Sequence, residues 1–236
     1  MQLPRSIVDA YADTLEGLSD AVKSRLAEVL ERIDYSRPVA DVRNEVIAVM
    51  RTYGRMTALA ASEVAADFYE QVRSASVGGT YKATAGEYGY SDAETEQFVR
   101  ASVQHLVDEG EGGARSVIHE SVTRIGYQVK RSAGETVIEN GRRDRRRVSF
   151  ARVPRPTKTY ANGCRFCQML AHSGFVYTTR ETAGELSHYH DGCQCMVVPG
   201  FGDNPKVEGY DPSSYEYDAD WWKERAERKR RERRGA

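Results

Sequence analysis

All four cysteines of this chain fall between positions 164 and 195, arranged as Cys164-x-x-Cys167 and Cys193-x-Cys195. His172, His188 and His190 share that stretch. Cysteines that only pack cores scatter along a chain, so this gathering beside imidazoles points to one bound ion. Zinc takes four tetrahedral ligands from thiolate and imidazole, and two ligands on one tight turn can share an ion. Cys164 and Cys167 have that spacing. In the opposing half, Cys193 and Cys195 share a face if their segment is extended, and Gly192 lets His190 come round to the same side. The reading is a structural Zn2+ site held by Cys164, Cys167 and His190, with either Cys193 or Cys195 as the fourth ligand. The spare sulfur then packs, or takes the histidine's place.

Other uses of the same residues fit less well. Two disulfides would consume four cysteines, but thiols stay reduced in the cytoplasm and a histidine stands between the pairs. A thioredoxin-like redox pair needs a βαβ context, and none surrounds Cys164-x-x-Cys167. A catalytic zinc leaves one position open and sets an acid or base beside it. Glu181 and Glu185 are near in sequence but lie in a polar stretch that reads as exposed loop. The nucleobase-deaminase order, His-x-Glu before Cys-x-x-Cys, does not occur. His172 and His188 read as surface residues. Nothing calls for an enzyme.

The chain ahead of the cysteines is helical in pattern. Ile7, Tyr11, Leu15, Leu18, Val22, Leu26, Val29 and Ile33 recur at steps of three and four, which lays them on one stripe. Asp34 to Pro38 interrupts the pattern. A second stripe follows through Val42, Val46, Val49, Tyr53, Met56, Ala60, Val64 and Phe68, and the two are expected to pack as an antiparallel hairpin. Between Ser74 and Tyr90 the period stops among glycines, which predicts a loop or flexible excursion. Ser91-Asp92-Ala93-Glu94 has capping-box form and starts a third helix, expected to end near Gly110. A fourth carries Ile118, Val122, Ile125 and Val129, and Asn140-Gly141 is expected to end it.

Beyond that point the character changes. Arg142, Arg143, Arg145, Arg146 and Arg147 form a basic run broken only by Asp144. Val148 to Val153 is a strand candidate stopped by Pro154 and Pro156; Met196-Val197-Val198 is a second, closed by Pro199-Gly200. A short helix is expected from about Ala219, with Trp221 and Trp222 as an anchor, running into Lys229-Arg230-Arg231-Glu232-Arg233-Arg234. Lys plus Arg total 34 against 35 for Asp plus Glu, so net charge selects no partner. The runs are where nucleic acid would be held: Arg142, Arg143, Arg145, Arg146, Arg147, Arg230, Arg231, Arg233 and Arg234 could neutralise phosphates without choosing a sequence. No apolar run approaches the roughly 18 residues of a membrane span and no leader opens the chain, so synthesis in the cytoplasm and no membrane contact are expected.

The fold class that follows is α+β. A helical N-terminal unit of about four helices occupies 1–141, a small zinc-stabilised β-containing module 142–209, and a charged C-terminal helix with a basic tail 210–236. The module is too small to hold itself by burial alone, so metal binding would supply much of its folding free energy.

The stretch Val148–Pro154, then Cys164-Arg165-Phe166-Cys167-Gln168-Met169-Leu170-Ala171-His172-Ser173-Gly174, resembles the MuF-like head morphogenesis (minor capsid) proteins of tailed bacteriophages, especially those of actinobacterial phages. The likeness continues through Val176-Tyr177, Thr182-Ala183-Gly184, Tyr189-His190-Asp191-Gly192-Cys193-Gln194-Cys195, Val198-Pro199 and Glu208-Gly209-Tyr210-Asp211-Pro212, covering roughly 148 to 225. The resemblance implies a virion protein of the phage head interior or portal vertex, made in the bacterial host cytoplasm. It would act in procapsid assembly or DNA passage, with the portal protein and other capsid or scaffold proteins as partners. The maturation protease fused to some relatives does not carry over, since the helical half leaves no room for it. A zinc-containing DNA-binding or DNA-processing protein acting through the arginine runs is the alternative.

Overall fold

The computed structural model describes residues 2–155, 165–178, 189, 193, 195–215, 217–218, 220, 223–224, 227–228 and 231. In chain order these form β1 (Gln2–Leu3), α1 (Arg5–Leu30), α2 (Val39–Val77), α3 (Asp92–Ser102), α4 (His105–Asp108), α5 (Gly113–Arg143), β2 (Val148–Val153), α6 (Arg165–His172), β3 (Met196–Phe201) and β4 (Lys206–Val207). The class is α+β.

The two apolar stripes fold as their spacing predicts. Val8, Tyr11, Leu15, Leu26 and Leu30 turn inward from α1, and Val42, Val46, Met50, Phe68 and Tyr69 do so from α2. α5 is the third long rod, and all three pack pairwise. Small residues let α2 and α5 approach: Ala58, Ala61, Ser62 and Ala65 on one, Ser132, Ala133, Gly134 and Thr136 on the other are buried. Inside that contact Ser62 Oγ donates to the Gly86 carbonyl at 2.6 Å and accepts from Thr136 Oγ1 at 2.7 Å.

The glycine-rich stretch after α2 is a loop, as expected, and it is pinned to the bundle. Asn140 accepts from the Thr84 amide at 2.8 Å and donates to the Thr84 carbonyl at 2.9 Å, while Tyr81 Oη donates to the Asn140 carbonyl and Gln128 to that of Gly89. Asn140-Gly141 does not end α5, which runs on to Arg143 with no positive φ at either residue. Asn140 is there to clamp the loop, and Gly141 to admit Phe150. At Ser91 only half the capping box forms: its hydroxyl accepts from the Glu94 amide at 3.3 Å, but the Glu94 carboxylate turns to Arg131 and Arg124 instead. The helix begun there breaks after Ser102, and the short α4 carries the chain to Gly110.

β2 and β3 pair antiparallel, with Val148 opposite Phe201 and Val153 opposite Met196. β3 continues through Pro199 and Gly200 where a stop was expected. The register explains why. Pro199 faces Phe150, whose own amide points away from β3 and donates to the Tyr177 carbonyl at 2.8 Å. That pair exchanges no ladder hydrogen bonds, so the missing proline N–H costs nothing. β1 and β4 form a separate two-residue parallel pair that ties the N-terminus to the segment after β3.

One apolar core crosses the 141/142 boundary. Val8, Leu15, Tyr69, Val129, Ala133 and Val137 from the helices are continuous in it with Phe150, Val153, Leu170, Val197 and Val198. Gly141 marks the tightest contact: a β-carbon there would stand 2.8 Å from Phe150 Cε1 and closer still to Cζ. Beyond β4, described residues between 220 and 231 are helical, as expected for the charged C-terminal segment; Trp221 and Trp222 lie outside the described residues.

Candidate metal centre

Three sulfurs meet at one end of the β2–β3 pair. Cys167 comes from the first turns of α6, and Cys193 and Cys195 from the approach to β3. Their Sγ atoms all lie within 4.8 Å of one another, with Cys167 and Cys193 3.3 Å apart. Among the described residues none of the three is in a disulfide, and all are buried to 2% exposure or less. A tetrahedron with zinc–sulfur bonds of about 2.3 Å separates its sulfurs by about 3.8 Å, so one ion of that kind fits among them. Both Cys193 and Cys195 belong to the cluster, where spacing had left a choice between them. Cys164 and His190, the other two expected ligands, lie outside the described residues, as do His188, Glu181 and Glu185.

α6 was not anticipated from sequence. Its apolar side, with Met169, Leu170 and Ala171 fully buried, seats it against β2. Tyr210 fixes its far end by donating to the Ala171 carbonyl at 2.5 Å. His172 closes the same turn, its Nδ1 donating to the Tyr215 carbonyl at 2.9 Å. It is half-buried and acts as a tie between α6 and the following segment; it is not a member of the sulfur cluster.

Charge around the thiols is arranged from β2 and α5. Arg152 is fully buried; its Nη2 lies 3.4 Å from Cys193 Sγ, and its guanidinium stacks over the Tyr189 ring with 3.8 Å to the centroid. Burial works against its charge, but the Tyr189 phenol and the three sulfurs outweigh that and hold the proton on more firmly than usual. Burial also pulls the Lys130 ammonium below its ordinary range, against the attraction of Cys193. For Cys195, the Cys167 hydrogen bond pulls the thiol down, but its bond to Cys193 and its burial win and push it up to about 12. Such a thiol gives its proton up readily only to a metal that replaces it. Metal thiolates, which accept hydrogen bonds and carry negative charge, suit a neighbour like Arg152.

Arg152 and Tyr189 are the site residues that sequence reasoning missed. Arg152 had a signal: in Val148–Val153 it falls on the same alternate face as Phe150, which packs on α5. A charged residue on the inward face of a strand asks for a partner.

The basic runs divide. Arg142 and Arg143 are the last residues of α5, and Arg145, Arg146 and Arg147 follow it; all five are exposed. Arg231 is exposed and helical, whereas Arg230, Arg233 and Arg234 lie outside the described residues. Among the described residues, the sulfur cluster consists of Cys167, Cys193 and Cys195 and includes no arginine of either run.

A family model described as VG15 protein matches residues 2–219. No curated protein and no solved structure matches the chain. Among the described residues, no helix is long and apolar enough to cross a membrane.

Proposed function

The chain belongs to the VG15 protein family, a phage-associated family, and from that premise we propose that it is a minor capsid protein of the phage head. In this reading it acts at the portal vertex in procapsid assembly or DNA passage, and does so without catalysis. The observation that carries the reading is the thiol cluster, because it combines two things. It brings Cys167, Cys193 and Cys195, from the stretch that resembles head-morphogenesis proteins, within reach of one ion. It also does so in the interior, where a metal serves architecture better than chemistry.

The ion is proposed to be zinc. Three thiolates in a tetrahedral cage suit it, and Cys164 or His190 would close the fourth position. Such a metal would fasten α6 to the start of β3, two segments the chain otherwise joins by a long connection. Its chemistry there is that of a cross-link. The residues of this chain then do the remaining work: Arg152 donates toward Cys193, and Tyr189 covers the guanidinium.

Co-expression with the cognate portal protein tests the proposed role. The expected result is a stable complex of the full chain with the portal ring, and one zinc per chain by elemental analysis. A chain that never associates with portal, scaffold or capsid subunits would overturn the head role, and a chain free of metal would overturn the zinc site.

A further inference from the structure

We propose that the turn joining α5 to β2 is a binding surface for the phosphate backbone of duplex DNA. In the sequence, Asp144 interrupts the arginines of 142–147. The fold takes it out of the surface. The Asp144 side chain is 1% exposed; one oxygen accepts from Arg73 Nε at 2.7 Å and Tyr69 Oη at 3.1 Å, the other from the Arg146 amide at 3.0 Å. With the acid turned inward, Arg142, Arg143, Arg145, Arg146 and Arg147 all face solvent.

The fold then adds to the patch. Asn140 clamps the loop at Thr84 against this end of α5, which brings in Lys82, whose side chain is 92% exposed. Arg143 donates to Thr84 Oγ1 at 2.7 Å and lies over the Tyr88 ring. Of the carboxylates nearby, Glu139 is engaged by Arg142, and Glu70 accepts from the Ala83 amide and sits 3.7 Å from Lys82. Among the described residues, no ion pair takes up Arg143, Arg145, Arg146 or Arg147. The α5 dipole accounts for cations in its last turn, but not for three more arginines past its end.

Guanidinium groups in a short exposed row match phosphate oxygens, and each phosphate neutralised releases counterions. Among the described residues of the patch, the nearest aromatic ring, Tyr88, is half-buried and has Arg143 over one face. That favours duplex over single strands. The surface is separate from the sulfur cluster and does not depend on the metal or on the virion role.

The test is anisotropy of a short labelled duplex with the full chain, between about 50 and 200 mM salt. Binding should be independent of sequence and weaken with salt at a log–log slope of about −0.9 for each phosphate engaged, hence −3 to −4 for four. The triple variant Arg145→Gln, Arg146→Gln, Arg147→Gln should lose about 2.7 of that slope while its melting curve stays unchanged. Absence of binding at low salt overturns the proposal. So does a triple variant with the wild-type slope, which would move the contact to another basic segment. Tighter binding to polyglutamate than to the duplex would assign the face to an acidic protein instead.

Discussion

Gly141→Ala should destabilise the protein, although helix propensity alone says the reverse. Gly141 sits inside α5 with ordinary helical torsions, so exchanging it for alanine ought to stabilise by about 1 kcal/mol. The opposing effect comes from β2. A β-carbon at 141 would stand 2.8 Å from Phe150 Cε1 and 3.2 Å from Val148 Cγ1. Phe150 is 1% exposed in the continuous core and has nowhere to retreat. Overpacking of this kind costs about 1–3 kcal/mol. The net is a loss of about 0–2 kcal/mol, or a fall in Tm of up to about 8 °C for a chain of this size. Phe150→Leu opens the space, so in that background Gly141→Ala should stabilise instead. Thermal melts of the four proteins of the cycle, followed by circular dichroism, give the coupling directly. A rise in Tm for Gly141→Ala alone, or a coupling of zero, would refute the claim that the β pair is locked onto α5.

Cys167→Ser or a strong chelator should alter the near-ultraviolet dichroism of the β2–β3–α6 region and leave most far-ultraviolet helical signal in place; spectra unchanged by either treatment would remove the structural metal. Arg152→Met should keep the metal stoichiometry and lower affinity about 10- to 100-fold, since it deletes an N–H donor 3.4 Å from Cys193 Sγ. Competition against a chromophoric chelator measures this, and equal affinities would show the guanidinium to be a bystander. His105 is held by Glu120 at 2.9 Å and Glu109 at 2.7 Å, and the Glu120 hydrogen bond, with help from Glu109, raises its pKa above 6.5 despite partial desolvation. Its contribution is therefore complete below about pH 6.5 and lost as pH rises through the higher folded value. The Tm gap between wild type and His105→Gln should close as pH rises above about 6.5, and a constant gap would contradict the pairing.

The long helices were legible because their information is local. An apolar residue every three or four positions defines a stripe wherever the helix is placed, and α1 and α2 begin and end close to where the stripes do. Strand β2 was legible for the same reason. Inference from conformational tolerance to position held at Gly78, which caps α2, and at Pro154, which follows the end of β2, but failed at two other pairs. Asn140-Gly141 and Pro199-Gly200 both look like stops, yet both lie inside elements. Asn140 is chosen for an amide that matches the Thr84 backbone, Gly141 for the ring it admits, and Pro199 for a register that needs no donor. The partners of Asn140 and Pro199 are about 50 residues away, beyond any local window, and the ring that Gly141 admits is only nine residues on but reaches it through the packing of β2 on α5. The β1–β4 pair is two residues long and leaves no period to read.

The sulfur cluster shows the same division within one site. That Cys167 and Cys193 and Cys195 belong together follows from their spacing; what surrounds them does not. Arg152 enters by strand alternation, two residues after Phe150 on the face toward α5. Tyr189 lies between that guanidinium and the helix, and a β-carbon at Gly134 would stand 2.7 Å from its hydroxyl. Two glycines of α5, seven residues and about two turns apart, thus receive Phe150 and Tyr189 side by side. The helix is notched at both places where the β pair needs depth. A metal at the cysteines would therefore not fold a free-standing module. It would close the open end of a sheet already seated in α5, and the energy it contributes would be felt along that helix.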